Sequence, residues 1–127
     1  MKHINPPSLH PPTGYTHVVE TTGRRTAYVS GQIALDRSGS LVGEGDLKAQ
    51  THQVFENLSA ALAASGVSFE HVVKMTVFMT DVTEIHLFRE VRDHYFTGKQ
   101  PACSLVQVVR LARPDLLIEI EAIAVAE

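Results

Sequence analysis

The chain lacks almost everything that would tie it to a specialised environment. It has one cysteine, Cys103, and no tryptophan; a disulfide framework within the chain is excluded, as is every zinc site that needs two or more thiolates. No apolar run approaches the roughly 20 residues that span a bilayer, and Met1 to Pro12 lacks the apolar centre of a secretion signal. A reducing, cytoplasmic setting with no membrane partner is the expectation. Eleven basic residues face fourteen acidic ones, with no run of Lys or Arg longer than Arg24-Arg25, so a phosphate backbone would meet no basic stripe. Tyr15, Tyr28 and Tyr95 are not interleaved with basic residues as a single-strand stacking surface requires. No nucleic-acid partner is expected; a small-molecule ligand is.

Familiar chemical signatures are missing too. No two of the seven histidines stand four apart, the spacing that puts two imidazoles on one helix face, so no metal is expected. Ser30-Gly31-Gln32 lacks the strand-to-helix elbow of a serine hydrolase, and no glycine fingerprint for a phosphate is present. Cys103 has no activating histidine beside it in sequence and reads first as a small hydrophobe. Asn57-Leu58-Ser59 matches a glycosylation pattern, yet it falls inside a helical repeat.

What is present suffices for one core. A chain of 127 residues buries roughly two thirds of its unfolded surface, and a single domain over residues 1–127 is expected. Pro6, Pro7, Pro11 and Pro12 make residues 1–12 an extended arm. Thr16 to Thr21 and Thr26 to Leu35 are β-rich and read as a hairpin about Thr22-Gly23-Arg24-Arg25. From Leu47 the period changes: Leu47, Thr51, Val54, Leu58 and Leu62 mark a helix of about five turns, with Asp46 as N-cap and Gly66 beyond its end. Val72 to Met79 is apolar on both parities, a central strand. Ile85, Phe88, Val91 and Tyr95 mark a second helix, ended by Gly98 and Pro101. Cys103 to Arg110 and Leu116 to Val125 complete the order β-β-α-β-α-β-β, an α+β fold with two helices on one face of a mixed sheet.

Two helices cover only one sheet face. On the last strand Ile118, Ile120, Ala122 and Ala124 share one side, and Leu117, Glu119, Glu121, Ile123 and Val125 the other. Neither side reads as freely solvated, which points to packing against other copies of the chain. Glu119 and Glu121 project the same way. Paired carboxylates in a partly buried site serve acid or base chemistry; on an open strand face they serve as solvated charges or salt-bridge partners. Gly31 leaves its backbone open to a close approach.

Tyr28-Val29-Ser30-Gly31-Gln32-Ile33, Gln50-Thr51 through Glu56-Asn57-Leu58, Val73-Lys74-Met75-Thr76-Val77-Phe78, Pro101-Ala102 and Ile118-Glu119-Ile120-Glu121-Ala122-Ile123-Ala124 together resemble the RidA/YjgF family, also labelled endoribonuclease L-PSP. The resemblance runs from Tyr15 to the C-terminus. It implies a chorismate-mutase-like fold, a homotrimer with ligand pockets between subunits, and hydrolysis of reactive enamines and imines to a 2-keto acid and ammonia without metal or organic cofactor. It also implies that Tyr15 is the pocket tyrosine, that Ser30 and Gly31 make backbone contacts at a strand end, and that Glu119 positions or activates water. The ribonuclease label is at odds with the acidic chain.

Two positions depart from the family. Cys103 stands where the enamine deaminases carry the arginine that grips a substrate carboxylate, a charge-assisted contact that a thiol cannot replace. Activity on standard 2-imino acids is therefore expected to be weak. Arg89 stands where typical deaminases have asparagine: either it restores positive charge to a pocket, or it faces solvent paired with Glu90 or Asp93. The expected function is a RidA-like deaminase acting on a small imine or enamine; the alternative is a non-catalytic trimer that binds or senses a metabolite.

Overall fold

The computed structural model describes all of residues 1–127. Two strands, β1 (Lys2–Ile4) and β2 (Val18–Glu20), form a small antiparallel ribbon. The main sheet takes β3 (Arg25–Gln32), β4 (Val72–Met79), β5 (Ala102–Gln107) and β6 (Ile118–Ala126) in the order β3-β6-β4-β5. Helix α1 (Leu47–Ala64) links β3 to β4, and α2 (Ile85–Tyr95) links β4 to its parallel neighbour β5. The α+β fold with two helices on a mixed sheet stands, with one further short strand in the arm. No helix is long and apolar enough to cross a membrane.

The expected hairpin does not form. β2 pairs with β1, in the register Lys2 to Glu20 and Ile4 to Val18, and β3 pairs with β6. The connection between β2 and β3 runs along the end of β6: a Cβ on Gly23 would lie 2.6 Å from a methyl of Val125 and 2.9 Å from the carbonyl oxygen of Ala126. The strand expected over Thr26 to Leu35 also ends earlier. β3 ends at Gln32 because the Ile33 and Leu35 carbonyls turn to accept both N–H bonds of the Asn57 amide, each at 2.9 Å. That amide, the acceptor in the glycosylation pattern, is thus committed to the fold. β5 ends at Gln107 because its neighbour β4 ends at Met79, whose carbonyl takes the last bond from Val108. β6 starts at Ile118, since the Leu117 N–H is taken by the Gln50 side chain.

Helix ends follow the local chemistry. Asp46 Oδ1 accepts the Ala49 N–H at 3.1 Å. At the other end Gly66, at φ +71°, allows the paired bonds Val67 N–H to Leu62 and Gly66 N–H to Ala63 that close a helix on a left-handed residue. Val54, Phe55, Leu58 and Leu62 of α1, with Phe88 and Val91 of α2, bury against Met75, Val77, Met79, Ile118, Ile120, Ala122 and Ala124. The opposite sheet face is uncovered: Tyr28 is 78% exposed and Val106 44%.

Candidate functional site

Glu119 is fixed by strands on both sides, with β3 to one side and Phe78 of β4 directly opposite it. It lies on the uncovered face and is half-buried, whereas Glu121 is exposed. Between Val29 and Gln32 the β3–β6 register slips, leaving Ser30 and Gly31 in a bulge. The bulge turns Gly31 onto Glu119: a Cβ there would lie 2.7 Å from Glu119 Cδ and 2.9 Å from Cγ. Any side chain at this point would displace the Glu119 carboxylate. Neither Glu119 nor Glu121 joins an ion pair within the chain. Ser30 lines a separate shallow cavity of about 240 Å³ with Tyr28, Lys74, Thr76 and Glu121.

Tyr15 is placed by its neighbour. Thr16 is buried; its N–H donates to the Pro101 carbonyl at 3.1 Å and its hydroxyl to the Gln100 carbonyl at 2.6 Å. These bonds clamp the segment against the start of β5, and Tyr15 and Cys103 come to line one cavity of about 160 Å³. The arm reaches the same place: His10 Nε2 lies 2.6 Å from the Tyr15 hydroxyl, and His17 Nε2 donates to the His10 carbonyl at 2.8 Å. His10 had no sequence signal beyond being a histidine in a Pro-rich stretch.

The cavity's other wall is α2. Arg89 lines it from an exposed position and makes no ion pair. Glu90 is taken by Lys48 at 3.2 Å and Asp93 by Arg92 at 2.9 Å, so neither expected partner holds Arg89. Arg92 also lines the cavity, from a buried position. Sequence reasoning passed over it, although an arginine four residues after Phe88 and next to Val91, on the apolar stripe, was the available signal. Burial pushes the Cys103 thiol above its ordinary pKa, against the pull of Lys74 and Arg92, which disfavours the reactive thiolate.

The chain therefore gathers the six expected residues as two groups. Glu119 meets Gly31, with Ser30 beside it in the bulge, while Tyr15, Arg89 and Cys103 share the β5–α2 cavity. The cavities lined by Ser30 and by Tyr15 have no residue in common. No group of three or more His, Cys, Asp or Glu side chains converges as metal ligands would.

Comparison with known proteins agrees with this architecture. Residues 6–126 match the model of the family described as Endoribonuclease L-PSP. Protein DfrA of Myxococcus xanthus is 44% identical over 112 residues, covering 88% of this chain and 85% of that protein. The 2-iminobutanoate/2-iminopropanoate deaminase of Mus musculus is 40% identical over 101 residues, covering 80% and 74% of the two chains. Among solved structures, the Rid-family protein YyfB of Yersinia pestis superposes with a TM-score of 0.91 at 36% identity, covering 98% of this chain and 97% of that one. E. coli TdcF with bound serine superposes at 0.75 with 33% identity, covering 92% and 91%. Matched across nearly its whole length, the chain belongs to the endoribonuclease L-PSP family, the RidA/YjgF group, which includes imine deaminases.

Proposed function

We propose that the protein is an imine or enamine deaminase-type hydrolase that works as a homotrimer, with each pocket completed by two copies of the chain. The carrying observation is the seating of Glu119 against Gly31 on an uncovered sheet face, apart from the cavity of Tyr15, Arg89 and Cys103. A second copy packed on the open face would bring one chain's carboxylate to the other's cavity. The exposed Tyr28 and Val106 support such packing, and the named activity of the mouse relative supports the chemistry.

In this reading Glu119 takes a proton from water as the water oxygen bonds to the imine carbon. The nitrogen receives that proton to give the neutral carbinolamine, Glu119 then carries the hydroxyl proton to the same nitrogen as the C–N bond breaks, and a ketone and ammonia result. The Tyr15 hydroxyl orients the substrate, with His10 behind it. Such substrates are reactive, so positioning and one base suffice.

The test is the hydrolysis of freshly generated 2-iminopropanoate and 2-iminobutanoate by wild type and Glu119→Gln at equal chain concentration. Loss of the base is expected to lower the rate roughly 10²- to 10⁴-fold. Equal rates for the two proteins would refute the reading. A wild type no faster than buffer would favour the metabolite-binding alternative, which Cys103 in the arginine's place supports.

A further inference from the structure

The charge buried on α2 has an incomplete set of partners. The Arg92 side chain is 9% exposed, and its Nε and Nη2 both converge on a single oxygen, Asp93 Oδ1, at 3.0 and 2.9 Å. Asp93 itself is 61% exposed. Nη1 has no hydrogen-bond partner in the chain, yet it is not sealed from solvent, for the sole buried and unpartnered side-chain polar atom is Gln100 Oε1. A guanidinium is strongly disfavoured in a partly apolar setting unless its N–H groups find acceptors. One shared carboxylate oxygen leaves most of its donor fork unused.

Two features hold this fork in place. The backbone of Gly14, at φ +73°, passes so close that a Cβ would lie 2.5 Å from Arg92 Nη2 and 2.6 Å from Cζ. On the other side the Phe88 ring centroid is 5.7 Å from Cζ, a cation–π contact. Both contacts fix the plane of the guanidinium without consuming its donors. Arg92 lines the cavity with Arg89, and no carboxylate lines it. Ile85, Leu105 and the small Cys103 side chain make its remaining wall largely apolar.

We infer that Arg92, with Arg89 at the rim, grips the substrate carboxylate in this protein from helix α2, a role that no residue of β5 supplies. The anion is gripped from the helix, and Cys103 leaves room for it on the strand. The inference rests on the hydrolase reading for the word substrate; the anion site itself does not depend on it. It also removes the ground for expecting weak activity on 2-imino acids, which was the missing cation at position 103.

Calorimetric titration of the full chain with 2-oxobutanoate, and with neutral 2-oxobutanamide, tests it. Wild type is expected to bind the oxo acid, and Arg92→Met to weaken that binding at least about tenfold, with Arg92→Lys between the two. Asp93→Asn is expected to tighten it several-fold by releasing the guanidinium, a gain that a purely structural ion pair would not give and that survives if Arg92→Met fails to fold. The amide's affinity is expected to be indifferent to all three. The inference is overturned if wild type does not bind the oxo acid, if folded Arg92→Met or Asp93→Asn leaves oxo-acid affinity unchanged, or if the amide loses affinity by the same factor. Turnover that needs Glu119 beside oxo-acid binding indifferent to Arg92 sinks this inference alone. Turnover indifferent to Glu119 beside binding that needs Arg92 sinks the hydrolase reading alone.

Discussion

Replacing Gln50 by leucine should unfold the molecule far more readily than its conservative volume suggests. Gln50 is fully buried in α1, and its amide joins three separate segments. Nε2 donates to the carbonyls of Gly43 at 3.1 Å and Asp115 at 2.9 Å, and Oε1 accepts the Leu117 N–H at 2.8 Å. After Gln50→Leu the Gly43 carbonyl still accepts from Asp46 N–H, but the Asp115 carbonyl and the Leu117 N–H lose the partners that the side chain gave them. Each orphaned buried group costs about 1–3 kcal/mol, and added apolar burial offsets about 1 kcal/mol. The net loss is roughly 1–5 kcal/mol, a fall in Tm of about 4–20 °C for a chain of this size. Urea melts at one fixed protein concentration, so that assembly is held constant, measure it as a lowered midpoint at unchanged slope. Gln53→Leu is the control, since half-buried Gln53 bonds only Asn57 Oδ1, at 2.9 Å. Equal midpoints for the two variants would refute the argument that Gln50 is a three-way tie.

Other expectations are more local. Gly31→Ala should leave stability within about 1 kcal/mol, because the flexible end of Glu119 can swing away, yet lower hydrolysis about 10²-fold by displacing the carboxylate; retained activity would show that the seat is dispensable. Cys103, with its thiol pushed up by burial, should react with iodoacetamide more slowly than a free thiol at neutral pH and accelerate only above the usual thiol range; labelling as fast as glutathione would contradict this. Tyr95 donates to Glu56 Oε1 at 2.8 Å, and burial, then that acceptor, raise its pKa to about 12. The stabilisation this implies is present below the unfolded value near 10 and is lost as pH rises toward about 12. Ultraviolet titration should show a last phenolate that Tyr95→Phe removes.

The parts legible in the sequence were those whose causes are local. α1, β4 and α2 follow from a switch of period and from end signals such as Asp46 and Gly66, which act on their own neighbours. The β2–β3 hairpin was misread because a turn-like composition cannot report what a strand pairs with. β3's partner is the last strand of the chain, and β2's lies beyond four prolines. Glu119 was visible from its alternation on β6. Its contact with Gly31 was not, since the bulge that creates it is a mismatch between strands far apart in sequence. Arg92 was missed because a helical arginine reads as solvated, and burial is a property of what packs on the helix.

The seat between Gly31 and Glu119 also constrains how this sequence can drift. With a carboxylate at position 119, position 31 has no room for any side chain that leaves that carboxylate in place. Once position 119 becomes alanine, the obstacle vanishes and a residue at 31 is limited only by the bulge. The two positions are therefore coupled: Gly31→Ala should be silent in a Glu119→Ala background and consequential in the wild type. Lineages that abandon the acid should lose the glycine afterwards, and a larger residue at 31 becomes a readable mark that the chemistry at 119 has been given up.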